Sequence, residues 1–273
     1  MRAGTRNIDT KELSLPNFGT HRVIIPVFIP EETGYYVHAL EVLKLCLRSL
    51  YVTARNSTAI TIVSNGSTNA VVEWLVGELA AKRIDQLILN QQNRGKVDAM
   101  ISACRAAYEP FVTFSDADVL FKSSWQQAIS KIFRAFPECV AVSPFPSLTA
   151  SRPLASATLI GGILRHELCQ LSICDRADLE KFAASCGNPW LYNPQHYEKQ
   201  LCLKRGADIA CFNSTHMVYT VRRLPYLAGV PVAPTASALG RHGLYLDSPP
   251  DKFGYWRLST PQGYVYHMGN IPE

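Results

Sequence analysis

Between residues 22 and 145 the chain alternates short β-branched apolar runs with longer stretches whose apolar residues recur every three or four positions. HRVIIPVFI, TAITIVS, DQLILN, FVTFS and CVAVSPF are the short runs. YYVHALEVLKLCLRSLYVTA, NAVVEWLVGELAAKR, VDAMISACRAAY and SSWQQAISKIFRAF lie between them. Brief β-branched runs suit buried strands, and a period near 3.6 suits helices packed on them. Parallel strands need helical crossovers that cover both faces of a sheet, so this alternation predicts an α/β fold with a mostly parallel, Rossmann-like sheet flanked by helices. Pro26 and Pro30 are expected to end the first strand, since proline donates no ladder bond.

Beyond residue 146 the pattern loosens. A connector, PSLTASRPLASAT, leads to an expected helix around GGILRHELCQLSI, then to the irregular SCGNPWLYNPQHY. GADIACF and HMVYTVRR read as strands, and the tail is rich in Gly, Pro and aromatics. Residues 22–145 and 146–273 are therefore expected to be two parts of one continuous domain, the second not folding by itself. Ligands of such sheets gather at the carboxyl ends of the strands. The loops Pro26–Gly34, Asn65–Asn69, Asn93–Lys96 and Ser115–Asp118 are all expected at that edge.

The last of these carries the sharpest chemical signal. In FVTFSDADVLF, Asp116 and Asp118 stand one residue apart, and in extended chain such side chains leave the same face. Two neighbouring carboxylates share a proton or take a cation, and a hard divalent ion with oxygen ligands answers the repulsion at neutral pH. The plainer alternative is a strand ending at Ser115, followed by a turn whose aspartates are solvated.

Composition bounds the rest. With 47% hydrophobic and 18% charged residues, the 273-residue chain has the make-up of a globular protein with a substantial core. A net charge of +5 without any Lys/Arg block gives no reason to expect nucleic acid, but suits anionic ligands or an acidic membrane surface. The leader MRAGTRNIDTKELSLPNFG has no apolar core, so no signal peptide is expected, and no run is long enough for a transmembrane helix. Eight cysteines without a C-x-x-C pair suggest free thiols in a reducing cytoplasm, with a disulfide or metal role as the alternative for Cys169, Cys174 and Cys186. The expected location is the cytoplasm, in solution or at the membrane periphery.

Taken in order, IIPVF, LCLRSL, ITIVSNGSTN, NRGK and FVTFSDADVLF resemble the GT-A fold glycosyltransferases of the family-2 type. The likeness spans about residues 22–145, which it implies to be the nucleotide-sugar-binding part, leaving 146–273 as the acceptor-binding part. It implies Mn²⁺ or Mg²⁺ held by Asp116 and Asp118, bridging the diphosphate of a UDP- or GDP-sugar, and transfer to a hydroxyl on a carbohydrate, lipid-linked or other acceptor. Pro26, Phe28 and Glu31 or Glu32 resemble the base and ribose pocket. Ser64 and Asn65 replace two aspartates common in the family, and the Asn65 amide can bond a base edge. Gly66 reads as a turn residue. Arg94 and Lys96 are expected to face the diphosphate, and His267, in a late H-x-G, to reach the metal, with His242 second. The Glu-Asp pair of inverting members is missing. Asp247, which ends an apolar alternation, and Asp251 are the substitute candidates for the catalytic base, or else turn and capping residues; a retaining route stays open. Trp190, Tyr192, Trp256 and Tyr264 are either an acceptor platform or core. Two alternatives stay open: a sugar-phosphate nucleotidyltransferase, although the Gly-rich basic loop expected directly after its first strand is absent here, and a non-catalytic nucleotide-sugar-binding module.

Overall fold

The computed structural model describes residues 19–148, 154–231 and 242–271. Strands β1 (His21–Val27), β2 (Thr58–Asn65), β3 (Gln86–Asn90) and β4 (Phe111–Ser115) alternate with helices α1 (Ala39–Thr53), α2 (Asn69–Ala80) and α3 (Lys96–Arg105). The short β5 (Val119–Phe121), α4 (Trp125–Ala135) and β6 (Cys139–Ser143) complete this part. There follow α5 (Ser156–Leu164), β7 (Leu168–Leu171), α6 (Arg176–Ser185), α7 (Pro194–Glu198), β8 (Gln200–Arg205), β9 (Asp208–Phe212) and β10 (Val218–Arg222). The chain continues through α8 (Arg223–Leu227), α9 (His242–Leu246), α10 (Ser248–Lys252), β11 (Trp256–Ser259) and β12 (Val265–His267).

Ten strands form one sheet in the order β3, β2, β1, β4, β10, β6, β11, β9, β8, β7, and β12 pairs with β5 in a separate ribbon. β1 to β4 are mutually parallel, as is β6 with β11; only β7, β9 and β10 oppose the prevailing direction. β10 enters between β4 and β6, so a strand from beyond residue 146 lies at the middle of the sheet. β1 shows why its sequence reads as an unbroken apolar run: Val23, Ile25 and Val27 join the core on one face, with α1 and α2, while Ile24 joins the core on the other, with α3. Each such side chain stabilises by about 2 kcal/mol when taken from water.

Several local expectations change. β1 runs through Pro26 to Val27. Its pairing with β4 stops at Ile24, so proline's missing N–H breaks no bond on that side. GGILRHELCQLSI is not one helix: α5 ends at Leu164, His166 takes a left-handed φ of 56°, and Leu168–Leu171 pairs as an edge strand with β8. LYLD does not end a strand, because residues 242–246 are helical. All eight cysteines are free; Cys174 Sγ lies 3.6 Å from Cys211 Sγ, which is 4.0 Å from Cys202 Sγ. Among the described residues, no helix is long and apolar enough to cross a membrane.

One ion pair locks the amino-terminal rim. Arg22 on β1 grips the buried Glu109, which precedes β4, through Nε to Oε2 at 2.8 Å and Nη2 to Oε1 at 2.7 Å, and its Nη1 donates to Thr61 of β2. Burial opposes the charge of Glu109, but the Arg22 bonds outweigh it and hold the carboxyl below the usual range. Arg22→Gln should destabilise the protein by about 3 kcal/mol at pH 7 by leaving a buried carboxylate unpaired. A depressed pKa stabilises above the unfolded value of about 4.3 and loses that contribution as pH falls through the folded value. Urea unfolding of both proteins should therefore show the gap narrowing as pH falls towards 4 and below; a gap independent of pH would contradict this role.

Candidate active site

β4 delivers the aspartates. Its ladder with β10 continues past Ser115, the Asp116 N–H donating to the Met217 carbonyl at 2.8 Å, and the chain then turns into β5. On the other side β12 runs antiparallel to β5 and places His267 opposite Val119, with the Met268 N–H donating to the Asp118 carbonyl at 2.8 Å. Backbone pairing on both flanks therefore fixes the aspartates and the histidine relative to one another. Gly269, at φ 66°, turns the chain away where a Cβ would approach the Ser185 carbonyl to 3.0 Å.

Each carboxylate has found a cation from the chain. Lys96, the first residue of α3, pairs with Asp116 Oδ1 and reaches the His216 carbonyl at 3.5 Å. His267 Nε2 lies 3.3 Å from Asp118 Oδ2, and its Nδ1 meets Ser185 Oγ at 2.9 Å. Phe182 packs edge-on against the same imidazole with ring centres 5.8 Å apart. Asp118 Oδ1, in contrast, is buried with no hydrogen-bond partner among the described residues.

The electrostatics follow from this crowding. Burial pushes the Asp116 carboxyl above the usual range and the charge of Asp118 adds to the push, against the pull of Lys96 and His267. Burial also works against a charged His267, but the bond to Asp118 and the charges of both aspartates outweigh it and raise the imidazole above its ordinary value. The neighbouring Cys46 thiol, whose Sγ lies 3.9 Å from the Asp116 carbonyl, is pushed up to about 12 by burial and is chemically inert.

A cleft of about 300 Å³ opens above these groups, lined by Pro26, Phe28, Tyr36, Lys96, Asp116 and Asp118 among others. Phe28 and Tyr36 meet edge to face at 6.0 Å and form an aromatic wall. A smaller cavity of about 140 Å³ lies between Phe182, Tyr192 and the turn Ser214–Met217. Phe182 and Met217 line this smaller cavity, the first also packing against His267 and the second accepting the Asp116 N–H.

The sequence model for glycosyl transferase family 2 matches residues 23–201, a span that starts within β1, runs past β6 and includes the aspartates. The chain belongs to this glycosyltransferase family. Among solved structures, a mannosyltransferase, PcManGT from Pyrobaculum calidifontis in complex with GDP-Man and Mn²⁺, is 16% identical with a TM-score of 0.50, covering 90% of this chain and 56% of its own. S. aureus TarS residues 1–349 in complex with UDP-GlcNAc is 15% identical with a TM-score of 0.38, covering 49% of this chain and 36% of its own. The chain thus spans well under two thirds of the solved structures that it matches. Comparison with curated proteins gives no match. The architecture, helices around a mainly parallel central sheet, is that of GT-A glycosyltransferases.

Within this family-2 chain, the structure gathers Pro26, Phe28, Lys96, Asp116, Asp118 and His267 at one edge and disperses the other candidates. Asn65 is buried, and its amide donates to Asn93 Oδ1 and accepts from Asn90 and from the Arg94 N–H, so it ties β2 to the loop that delivers Lys96. Gly66, at φ 87°, sits where a Cβ would come within 2.9 Å of the Asn93 nitrogen. Arg94 is exposed and pairs with Asp98 at 2.8 Å; Glu31 is exposed and accepts from Thr33. Asp247 Oδ1 is shared by Arg257 and by His216 Nε2, the latter at 2.8 Å, and Asp251 Oδ1 accepts the Ala157 N–H at the start of α5. The side chain of His242 lies outside the described residues. Trp256 and Tyr192 are core and Trp190 is 89% exposed, so the aromatics form no common platform. The sequence reading missed Ser185, Phe182 and Met217; none has a motif, and only the pairing of distant strands brings them to the aspartates.

No three acidic, imidazole or thiol side chains among the described residues already enclose a point suited to a metal ion. The donor set nevertheless fits one. An unpartnered buried carboxylate oxygen, a second carboxylate and an imidazole lie together at this edge, with Lys96 and His267 as internal counterions. Because a raised histidine pKa stabilises below about 6.5 and loses that contribution as pH rises through the folded value, the His267–Asp118 pair in the ion-free protein strengthens towards acid. In Asp118→Asn the burial effect should dominate, and the His267 NMR titration should fall below its ordinary value. An unshifted titration would mean that the pair does not form in solution.

Proposed function

We propose that the protein is a divalent-metal-dependent glycosyltransferase that moves a sugar from a UDP- or GDP-linked donor to a hydroxyl acceptor. The observation that carries the reading is the buried, unpartnered Oδ1 of Asp118 beside His267, at the carboxyl edge of a GT-A sheet. Asp118 and His267 would hold Mn²⁺ or Mg²⁺, with Asp116 beside them. When bound, such an ion offsets the negative charge that develops on a departing diphosphate.

The chain's own groups do the remaining work. Lys96 places a fixed positive charge beside Asp116, where it can swing from carboxylate to phosphate oxygen as the donor arrives. Phe28 and Tyr36 offer an apolar wall for the nucleoside, and Pro26 shapes the floor. Residues 146–273 supply the acceptor side through the cavity at Tyr192 and His216. Asp247 is engaged by both Arg257 and His216, so in this reading it positions His216 and does not meet the acceptor; Asp251 serves as a helix cap. The PcManGT structure, which binds GDP-Man and Mn²⁺, supports the choice of donor and ion classes.

A panel of UDP- and GDP-sugars with Mn²⁺ or Mg²⁺ tests this directly. Metal-dependent release of nucleoside diphosphate should appear for at least one donor and fall by about 100-fold or more in Asp118→Ala. Absence of metal-dependent turnover with every donor would favour a binding module. Lys96→Met should weaken nucleoside diphosphate binding by about tenfold, the loss of one charge-assisted contact, while binding of the uncharged nucleoside stays the same. Equal losses for both would place Lys96 in the structure and not at the phosphates.

A further inference from the structure

The opposite rim of the sheet holds a second concentration of charge. His21, Thr58 and Phe111 begin β1, β2 and β4, and because β10 is antiparallel its last residue, Arg222, falls beside them, at the far end of the strands from Asp116. A cavity of about 360 Å³ opens there between the sheet and α4.

Its floor is a closed hydrogen-bond network. His21 Nε2 meets Thr113 Oγ1 at 2.6 Å, and the Gln126 amide reaches His21 Nδ1 and Thr58 Oγ1, both at 2.9 Å. Burial, helped by the charge of Arg55, brings His21 down to about 4, so the floor is neutral at physiological pH. One wall is apolar, formed by Phe111, Phe133 and Ile129.

The charge comes from three arginines that also line the space. Arg222 lies over the rings of Phe111 and Phe133, at 5.7 and 5.0 Å, and its Nε and Nη2 donate to the Cys139 and Phe133 carbonyls. No carboxylate among the described residues pairs with it, nor with Arg55 or Arg134, both exposed at the mouth. The acids in this part of the fold are taken: Glu109 by Arg22, and Glu138 by Arg165 and Arg205. Three like charges around one half-apolar cavity repel one another until an anion joins them. Guanidinium forks match phosphate oxygens, while the phenyl rings and Ile129 match an apolar body, and the volume falls in the range of small-ligand sites.

We propose that this cavity is a second ligand site that binds a phosphate monoester carried on a ring-sized apolar body, independently of the donor cleft. It requires no metal and shares no residue with the groups at Asp116 and Asp118.

Phenyl phosphate is the probe, titrated calorimetrically into the full chain. It should bind saturably, with phenol and inorganic phosphate each at least about tenfold weaker, since each lacks half of the recognition. The double variant Arg55→Gln, Arg134→Gln alters only exposed side chains; it should keep the parent Tm and weaken phenyl phosphate by about tenfold or more. Asp118→Ala should leave this binding unchanged, and UDP with Mn²⁺ should not compete. Phenyl phosphate affinity equal to that of phenol or phosphate, indifference to the double arginine change, or displacement by UDP with Mn²⁺ would each overturn the proposal. Because Asp118→Ala tests only the donor cleft, failure of the catalytic reading and failure of this one give different results.

Discussion

Two carboxylates that follow a strand buried on both faces crowd one another at a half-buried edge, and the pairings at this edge of the sheet relieve that repulsion. Lys96 reaches Asp116 from the first turn of α3, and His267 reaches Asp118 from a strand 149 positions further along the chain. Neither pairing closes the account, for one oxygen of Asp118 stays buried and unbonded. In the proposed reading these two internal cations, one of them an imidazole, give way to a metal ion and a diphosphate. The burial that raises Asp116 and the contact that raises His267 are two consequences of the same crowding.

The topology exists to bring those groups together. Parallel β1 to β4 deliver Pro26, the Asn65 anchor and the aspartates to one edge, as crossover connections require. The later half then supplies what the first half lacks. β10 enters next to β4 and carries Met217 to the Asp116 N–H, while β12 pairs with β5 and carries His267 to Asp118. α6 supports that ribbon from behind through Ser185, Phe182 and the Asp178–Lys122 pair at 3.2 Å. Sequence distance is therefore no guide to function here.

The same point explains what could be read from the sequence. The strands and helices of residues 22–145 were legible because each is a run of one period packed on its immediate neighbours, and the D-x-D, Lys96 and His267 stood out against them. β7, β8 and β11 were not, since each is only four to six residues long and owes its state to partners elsewhere. The helices of 242–252 were hidden by an alternation that mimicked a strand, and the two prolines at positions 249 and 250 sit in the first turn of α10, where their missing N–H groups are not needed. Asn65 stands where the family often has an aspartate, and its amide is spent on the loop that delivers Lys96, a role visible only once Asn90 and Asn93 are seen beside it. Likewise nothing in the local sequence of Arg55, Arg134 and Arg222 indicates that they surround one cavity.

Anomalous diffraction at the manganese edge, from crystals soaked with Mn²⁺ and a nucleoside diphosphate, addresses the central claim most directly. A single strong peak within bonding distance of Asp118 and His267, in contact with the diphosphate and with Lys96 displaced from Asp116, is the result this account predicts. A diphosphate bound elsewhere, or manganese scattered over surface carboxylates while Lys96 and His267 keep their present partners, would contradict it.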